Sequence, residues 1–240
     1  MRLDKFLVST GKLSRSEAGR AARGGRIFVN DVVEKRADRP IDPENDCITL
    51  DGVPLVYRQF TYILLNKPDG YVSATEDSHD PTVLSLLPQD LQRIGLFPCG
   101  RLDKHTLGLM LLTNDGKLGH RLLSPRHHVE KQYAYTCRDA LCAAHCRAME
   151  QGIVLDDGYR TKPAHILPKD DYHGTIILTE GKYHQIKRMA GALSNRITAL
   201  ERIAFGPLTL DPTLRRGECR PLTDDEIDRL RRAAEMTAAT

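Results

Sequence analysis

Between residues 98 and 116 the chain reads PCGRLDKHTLGLMLLTNDG. The run Leu107–Leu112 carries no charge, so it must leave water. Its shortness and the turn residues behind it mark a buried strand. Asp103 stands just before that strand, between Arg101 and Lys104. A charged loop joined directly to a core element is held at the core's edge. Two uses of the acid are open. Its flanking cations could form structural ion pairs, which composition alone favours, or Asp103 could be the working group of an active site. An aspartate beside Arg101 stays ionised. Held so in a cleft, it can act as a nucleophile but not as a general acid.

The 240 residues suffice for two domains and for a core that needs no disulfide staple. Hydrophobic content of 40% and charged content of 28% fit a soluble globular protein. The start, MRLDKFLVSTG, is charged and lacks the apolar centre of a signal peptide. No window approaches the roughly eighteen apolar residues of a membrane span. The six cysteines are scattered, as expected of reduced thiols in a cytoplasm.

The net charge of +3 is small but unevenly placed. Residues 1–36 hold nine Lys/Arg against four Asp/Glu, and residues 37–58 hold two against five. Leu3, Phe6 and Leu7 have helical spacing, ending near Gly11. Ser14 and Glu17 offer a capping box for a second helix that runs to about Arg23 and stops at Gly24-Gly25. Steps of about 100° gather Arg15, Arg20 and Arg23 within roughly 140° of one another. Ala18, Ala21 and Ala22 fall on the other side. RIFVNDVVEK follows as a hairpin around Asn30-Asp31, then the acidic turn DPEND and a strand, CITLDG. An outward arginine face beside a basic strand entry, Arg26, points to RNA phosphates, with Lys5 added from the first helix. VPLVYRQFTY is the expected hinge, which divides the chain into residues 1–58 and 59–240.

The larger part mixes short strands and helices without a regular βαβ rhythm, so an α+β domain with a mixed sheet is expected. TYILLNKP and GTIILTEG read as strands. KQYAYTC alternates, placing Lys131, Tyr133 and Tyr135 on one face. A helix beginning near His184 has an apolar stripe of Ile186, Met189, Ala190 and Leu193. A second stripe holds His184, Lys187, Arg188 and Gly191. Thr223 and Glu226 cap a closing helix, and the tail MTAAT is expected to fray. No phosphate loop, nucleophile elbow or zincin motif occurs. Cys142, His145 and Cys146 lie at helical spacing but lack a second ligand pair, so no metal is expected. His127-His128 read as a surface or RNA-facing pair.

Read as a set, the segments resemble the Rsu family of pseudouridine synthases. FPCGRLDKHTLGLMLLTNDG is similar to the family's catalytic motif. NKPDGYVS (66–73), SPRHHVEKQY (124–133) and EGKYHQIKRM (180–189) follow in the family's order. The start, RLDKFL…SRSEAGRAARGGRIFVNDVV, resembles an S4-type RNA-binding module. The resemblance implies that Asp103 is the catalytic aspartate and that Arg101 shapes its loop. It implies that Tyr133 stacks on the target base and that Lys187 pairs with Asp103. Arg188 is a further expected RNA contact. Lys104-His105 are not residues the family requires, and Leu107 stands where a second threonine is common. Thr106, Gly108 and Leu109 fit.

The reaction this resemblance implies breaks the N1–C1′ bond of a uridine, turns the base and rejoins C5 to C1′, with no cofactor. A base inside a helix cannot be rearranged, so an extruded or unpaired uridine is expected. MRLDKFL, DSHDPTVL and SPRHHVEK look most like members that act on uridine 516 of small-subunit 16S rRNA. The implied partner is ribosomal RNA, as such or within a ribonucleoprotein assembly intermediate, met by a monomer. The alternatives are a large-subunit 23S rRNA synthase of the same family, a non-catalytic S4-type assembly factor and a nucleoside N-glycosylase. A damaged GRLD loop would mark the assembly factor, and Asp103 is intact.

Overall fold

A computed structural model describes residues 1–124 and 129–235. The His127-His128 pair and the tail at 236–240 lie outside the described residues. The chain forms two compact units, residues 1–61 with 84–97, and residues 62–83 with 98–240.

The first unit opens with α1 (Leu3–Ser9) and α2 (Arg15–Arg23). The Ser14–Glu17 capping box forms as expected, satisfying two amide donors that a helix start leaves unpaired. Four strands follow: β1 (Ile27–Val29), β2 (Val32–Val33), β3 (Ile48–Leu50) and β4 (Val53–Leu55). They pair antiparallel in the order β2-β1-β3-β4. Asn30 and Asp31 both have positive φ, the geometry of a tight hairpin turn. Asp51-Gly52 does the same between β3 and β4, so VPL is a strand and the hinge expected from VPLVYRQFTY begins later. Leu3, Phe6, Leu7, Ala18, Ala21, Ala22, Ile27, Val29 and Ile48 form the core. A short helix, α3 (Gln89–Gln92), belongs to the same unit.

The second unit is built on a nine-stranded sheet. Its strands are β5 (Tyr62–Lys67), β6 (Phe97–Cys99), β7 (Leu107–Thr113), β8 (Lys131–Cys137), β9 (His165–Pro168), β10 (His173–Leu178), β11 (Ile197–Phe205), β12 (Leu208–Thr209) and β13 (Cys219–Pro221). The main path is β13-β5-β7-β11-β8-β10-β9. The β7–β11 pair is parallel, and the others on this path are antiparallel. The helices are α4 (Gly116–Leu123), α5 (Ala143–Glu150), α6 (Gln185–Ala192) and α7 (Asp224–Glu235).

The apolar runs of β5 and β7 are buried along nearly their whole length, as central strands must be. β8 alternates between buried and half-buried, with Lys131, Tyr133 and Tyr135 on the buried face. Gly108 has φ +99°, and a Cβ there would lie 2.3 Å from the Arg202 carbonyl oxygen. Only glycine lets β7 approach β11 this closely. The Thr223–Glu226 box caps α7.

Candidate active site

The loop that carries Asp103 is tied down on both sides. Leu102 is buried, and its amide donates to Ser73 Oγ (2.9 Å) while Ser73 donates back to the Leu102 carbonyl (2.7 Å). The Thr106 amide donates to the Asp103 carbonyl at 3.0 Å. Lys67, the fully buried last residue of β5, donates from Nζ to the carbonyls of Pro68, Lys104 and Thr106 at 3.1, 3.0 and 2.9 Å. Asp103 is thereby presented half-buried just ahead of β7.

The facing groups come from the start of α6. Buried Glu180 accepts from Tyr159 Oη (2.7 Å), the Lys162 amide (2.9 Å) and Gln185 Nε2 (2.7 Å). Gln185 Oε1 in turn accepts from the Lys182 amide at 2.9 Å. This network anchors the first turn of α6. His184, immediately before it, is left-handed at φ 50° and ψ 30°. That conformation costs a non-glycine residue on the order of 1 kcal/mol, so the surroundings must hold it. Lys187 Nζ donates to Asp103 Oδ2 at 3.0 Å, and His184 Nε2 lies 3.5 Å from Asp103 Oδ1. Both oxygens of the carboxylate therefore face a nitrogen of α6 or its cap.

The sheet supplies the floor of a cavity of about 740 Å³. Tyr133 and Arg202 are direct partners across β8 and β11, and Lys131 lies two residues from Tyr133 on the same face. All three are buried and line the cavity with Asp103, His184 and Lys187. Burial pushes the Lys131 ammonium down to about 8, and the nearby Arg202 adds to the effect. Burial also pushes the Cys99 thiol up to about 12, so it is no counter-ion.

The structure brings Asp103, Tyr133 and Lys187 together, across sequence separations that no local pattern spans. Arg101 also lines the cavity but is exposed, and among the described residues it makes no ion pair with Asp103. The cation that local spacing assigned to Arg101 is Lys187 instead. Lys104 pairs with Asp80 at 2.6 Å. Arg188, expected to touch RNA, is largely covered and paired with Asp156 and Asp157. Lys5, Arg15, Arg20 and Arg23 are exposed, with no ion pair among the described residues. Arg26 is exposed and paired with Asp51. Cys142 is exposed and Cys146 half-buried, and among the described residues no three His, Cys, Asp or Glu side chains gather as a metal set. No helix among them is long and apolar enough to cross a membrane.

Sequence reasoning missed three groups at the site. Lys67 was visible only as part of NKPDGYVS. Arg202 lies in ITALERIAF, a strand whose adjacent Glu201 and Arg202 blur its alternation. The stripe on α6 contained His184 but gave no sign that it would reach Asp103.

Residues 61–192 match the family described as RNA pseudouridylate synthase, and residues 1–47 match the S4 domain. An uncharacterized RNA pseudouridine synthase of Bacillus subtilis is 42% identical over 95% of this chain and 97% of its own length. The ribosomal small subunit pseudouridine synthase A of Escherichia coli is 40% identical over 95% of this chain and 98% of its own. A crystal structure of a pseudouridylate synthase superposes with a TM-score of 0.69 at 39% identity, covering 96% of this chain and 99% of that one. With matches of this extent to both of its parts, the chain belongs to the RNA pseudouridylate synthase family, in the branch that joins an S4 domain to the synthase domain.

Proposed function

We propose that the chain converts uridine 516 of small-subunit 16S rRNA to pseudouridine, with Asp103 as nucleophile. The observation that carries the assignment to Asp103 is its carboxylate, bonded to Lys187 at 3.0 Å inside the cavity lined by Tyr133. A carboxylate held by an ammonium and facing the cavity is placed for nucleophilic attack. Attack at C1′ of the ribose, or at the base, releases the N1–C1′ bond. The ring turns, C5 joins C1′, the bond from Asp103 breaks to restore its carboxylate, the C5 proton leaves and N1 takes up a proton. Tyr133 offers an aromatic face to the extruded base. The exposed Lys5, Arg15, Arg20 and Arg23 hold RNA phosphates, and the enzyme acts as a monomer in the cytoplasm without a cofactor. The small-subunit substrate is supported by the relatives named for it, at about 40% identity over nearly their whole length.

Asp103→Asn tests the chemistry. It is expected to abolish pseudouridine formation while RNA affinity stays within about twofold, and a variant of normal activity would sink the assignment. Carbodiimide mapping of rRNA from a strain lacking the gene tests the target. Loss of the mark at position 516 supports the reading, and loss at a large-subunit position replaces it with the 23S alternative.

A further inference from the structure

Three polar side chains on the cavity wall are thinly partnered for their burial among the described residues. Arg202 is 1% exposed. It gives Nε to the Leu109 carbonyl (2.7 Å), and Nη2 meets only the Met110 sulfur at 3.8 Å. Lys131 is 9% exposed and, among the described residues, donates to one acceptor, the Val129 carbonyl, at 3.0 Å. Thr106 Oγ1 is buried with no hydrogen-bond partner among the described residues. No carboxylate among the described residues pairs with either cation. Asp103 is answered by Lys187 and His184, and Glu180 by its three donors. A buried cation without a counter-ion, or a buried hydroxyl without a partner, costs stability because its lost hydration is not replaced. Such groups in a folded protein call for an explanation, and a bound species that supplies the missing acceptors is one.

The three line the same cavity as Asp103. Lys131 and Arg202 share the sheet face that presents Tyr133, and Phe205 packs beneath both, 5.8 Å from the ammonium and 5.2 Å from the guanidinium. Arg202 Nη1 lies 3.8 Å from where a Cβ on Gly100 would stand, so the guanidinium underlies the Asp103 loop. Thr106 is bonded through its amide to the Asp103 carbonyl. Their burial suits contact with a base that enters the cavity better than contact with the exposed RNA backbone. The exposed Arg101 and Lys182, which also line the cavity, are placed for phosphates.

A uracil ring offers two carbonyl acceptors, O2 and O4, on either side of its N3–H donor. When the N1–C1′ bond breaks, its electron pair stays on the ring and spreads from N1 onto those two oxygens. Attack on the base instead also drives charge onto the carbonyl oxygens. We propose that Lys131, Arg202 and Thr106 form an anion hole for the uracil ring, holding the charge it carries between detachment and reattachment. The ring then forms the C5–C1′ bond, loses the C5 proton and gains one at N1, so the hole is emptied of charge at the end of each turnover. Preorganised donors aimed at developing charge are among the largest contributors to enzymatic rate. This inference rests on the pseudouridine reaction at this site.

The test uses the full chain and in vitro transcribed 16S rRNA carrying uridine tritiated at C5, read as tritium release under single turnover. Lys131→Met is expected to lower the rate constant about 100- to 1,000-fold, with the RNA Kd changed less than about threefold. Its thermal midpoint should stay level or rise, because a buried unpaired charge has been removed. Thr106→Val, nearly isosteric, should cost about tenfold in rate with no loss of midpoint, and it keeps the test open should Lys131→Met fold poorly. A Kd that rises as much as the rate falls, with a shallower salt dependence, would make Lys131 a phosphate contact and overturn the proposal. So would a lowered midpoint with the rate retained. Tritium release by both variants at the wild-type rate defeats the anion hole alone, whereas a wild-type chain that releases none defeats the reaction as well.

Discussion

Replacing Lys67 by Met removes the clamp on the Asp103 loop. In the native chain the Lys67 ammonium is wholly buried and donates to three carbonyls, two of them from Lys104 and Thr106. Each hydrogen bond to a charged donor contributes roughly 1.5–3 kcal/mol, so the three together offer roughly 5–9. Burial opposes them. It pushes the Lys67 pKa from 10.5 down to about 8, with Asp69 and Asp103 resisting and Lys187 and Arg202 adding to the shift. A shift of this size costs about 3 kcal/mol at neutral pH. The variant should therefore lose roughly 4 kcal/mol by urea unfolding at pH 7, because three carbonyls lose their donor. Pseudouridine formation should fall about 100-fold as Asp103 loses its fixed position. The pH dependence has a definite sign. Between about 8 and 10.5 the unfolded chain holds a proton that the folded chain has released, so wild-type stability rises through that window. Lys67→Met lacks this gain, and the gap between the two should widen by about 3 kcal/mol. A variant as stable as wild type at pH 7, or a gap that stays flat, would refute the clamp.

Other consequences can be checked separately. Lys187→Met leaves Asp103 with His184 as its remaining ion-pair partner among the described residues. It should lower the single-turnover rate by more than about 100-fold with little change in RNA affinity, and an unaltered rate would remove Lys187 from the machinery. Reversing Arg15, Arg20 and Arg23 to Glu should weaken RNA binding and flatten its salt dependence, measured by filter binding, whereas an unchanged slope would clear α2 of phosphate contacts. Arg220 holds the buried Glu226 carboxyl down to about 2 through two bonds of 2.8 Å. That stabilisation is complete above the ordinary 4.5 and is lost as pH falls toward 2, so Glu226→Gln should show about 3 kcal/mol less acid sensitivity over that interval. Acid unfolding profiles of equal slope would count against it.

Local chemistry made several elements legible from the chain alone. The two capping boxes, the left-handed Asn30-Asp31 turn and the alternation of β8 each depend on residues within a few positions, so the code for them is complete in the segment. The same holds for burial of the apolar runs of β5 and β7. The identity of the Asp103 partner is of another kind. Arg101 is two positions away and stands exposed, while Lys187 arrives from 84 positions further along the chain. Periodicity reports which face of an element is apolar, but it does not report which elements become neighbours. That is settled when β11 enters between β7 and β8, parallel to one and antiparallel to the other. Its insertion buries Arg202 opposite Tyr133 and requires a glycine at 108 for the strands to meet. Motif order in the sequence therefore marked Asp103, Tyr133 and Lys187 as a set. Long-range sheet pairing turned that set into a cavity, and it placed beside them the buried cations Lys67, Lys131 and Arg202, whose charge no local pattern would assign to a core.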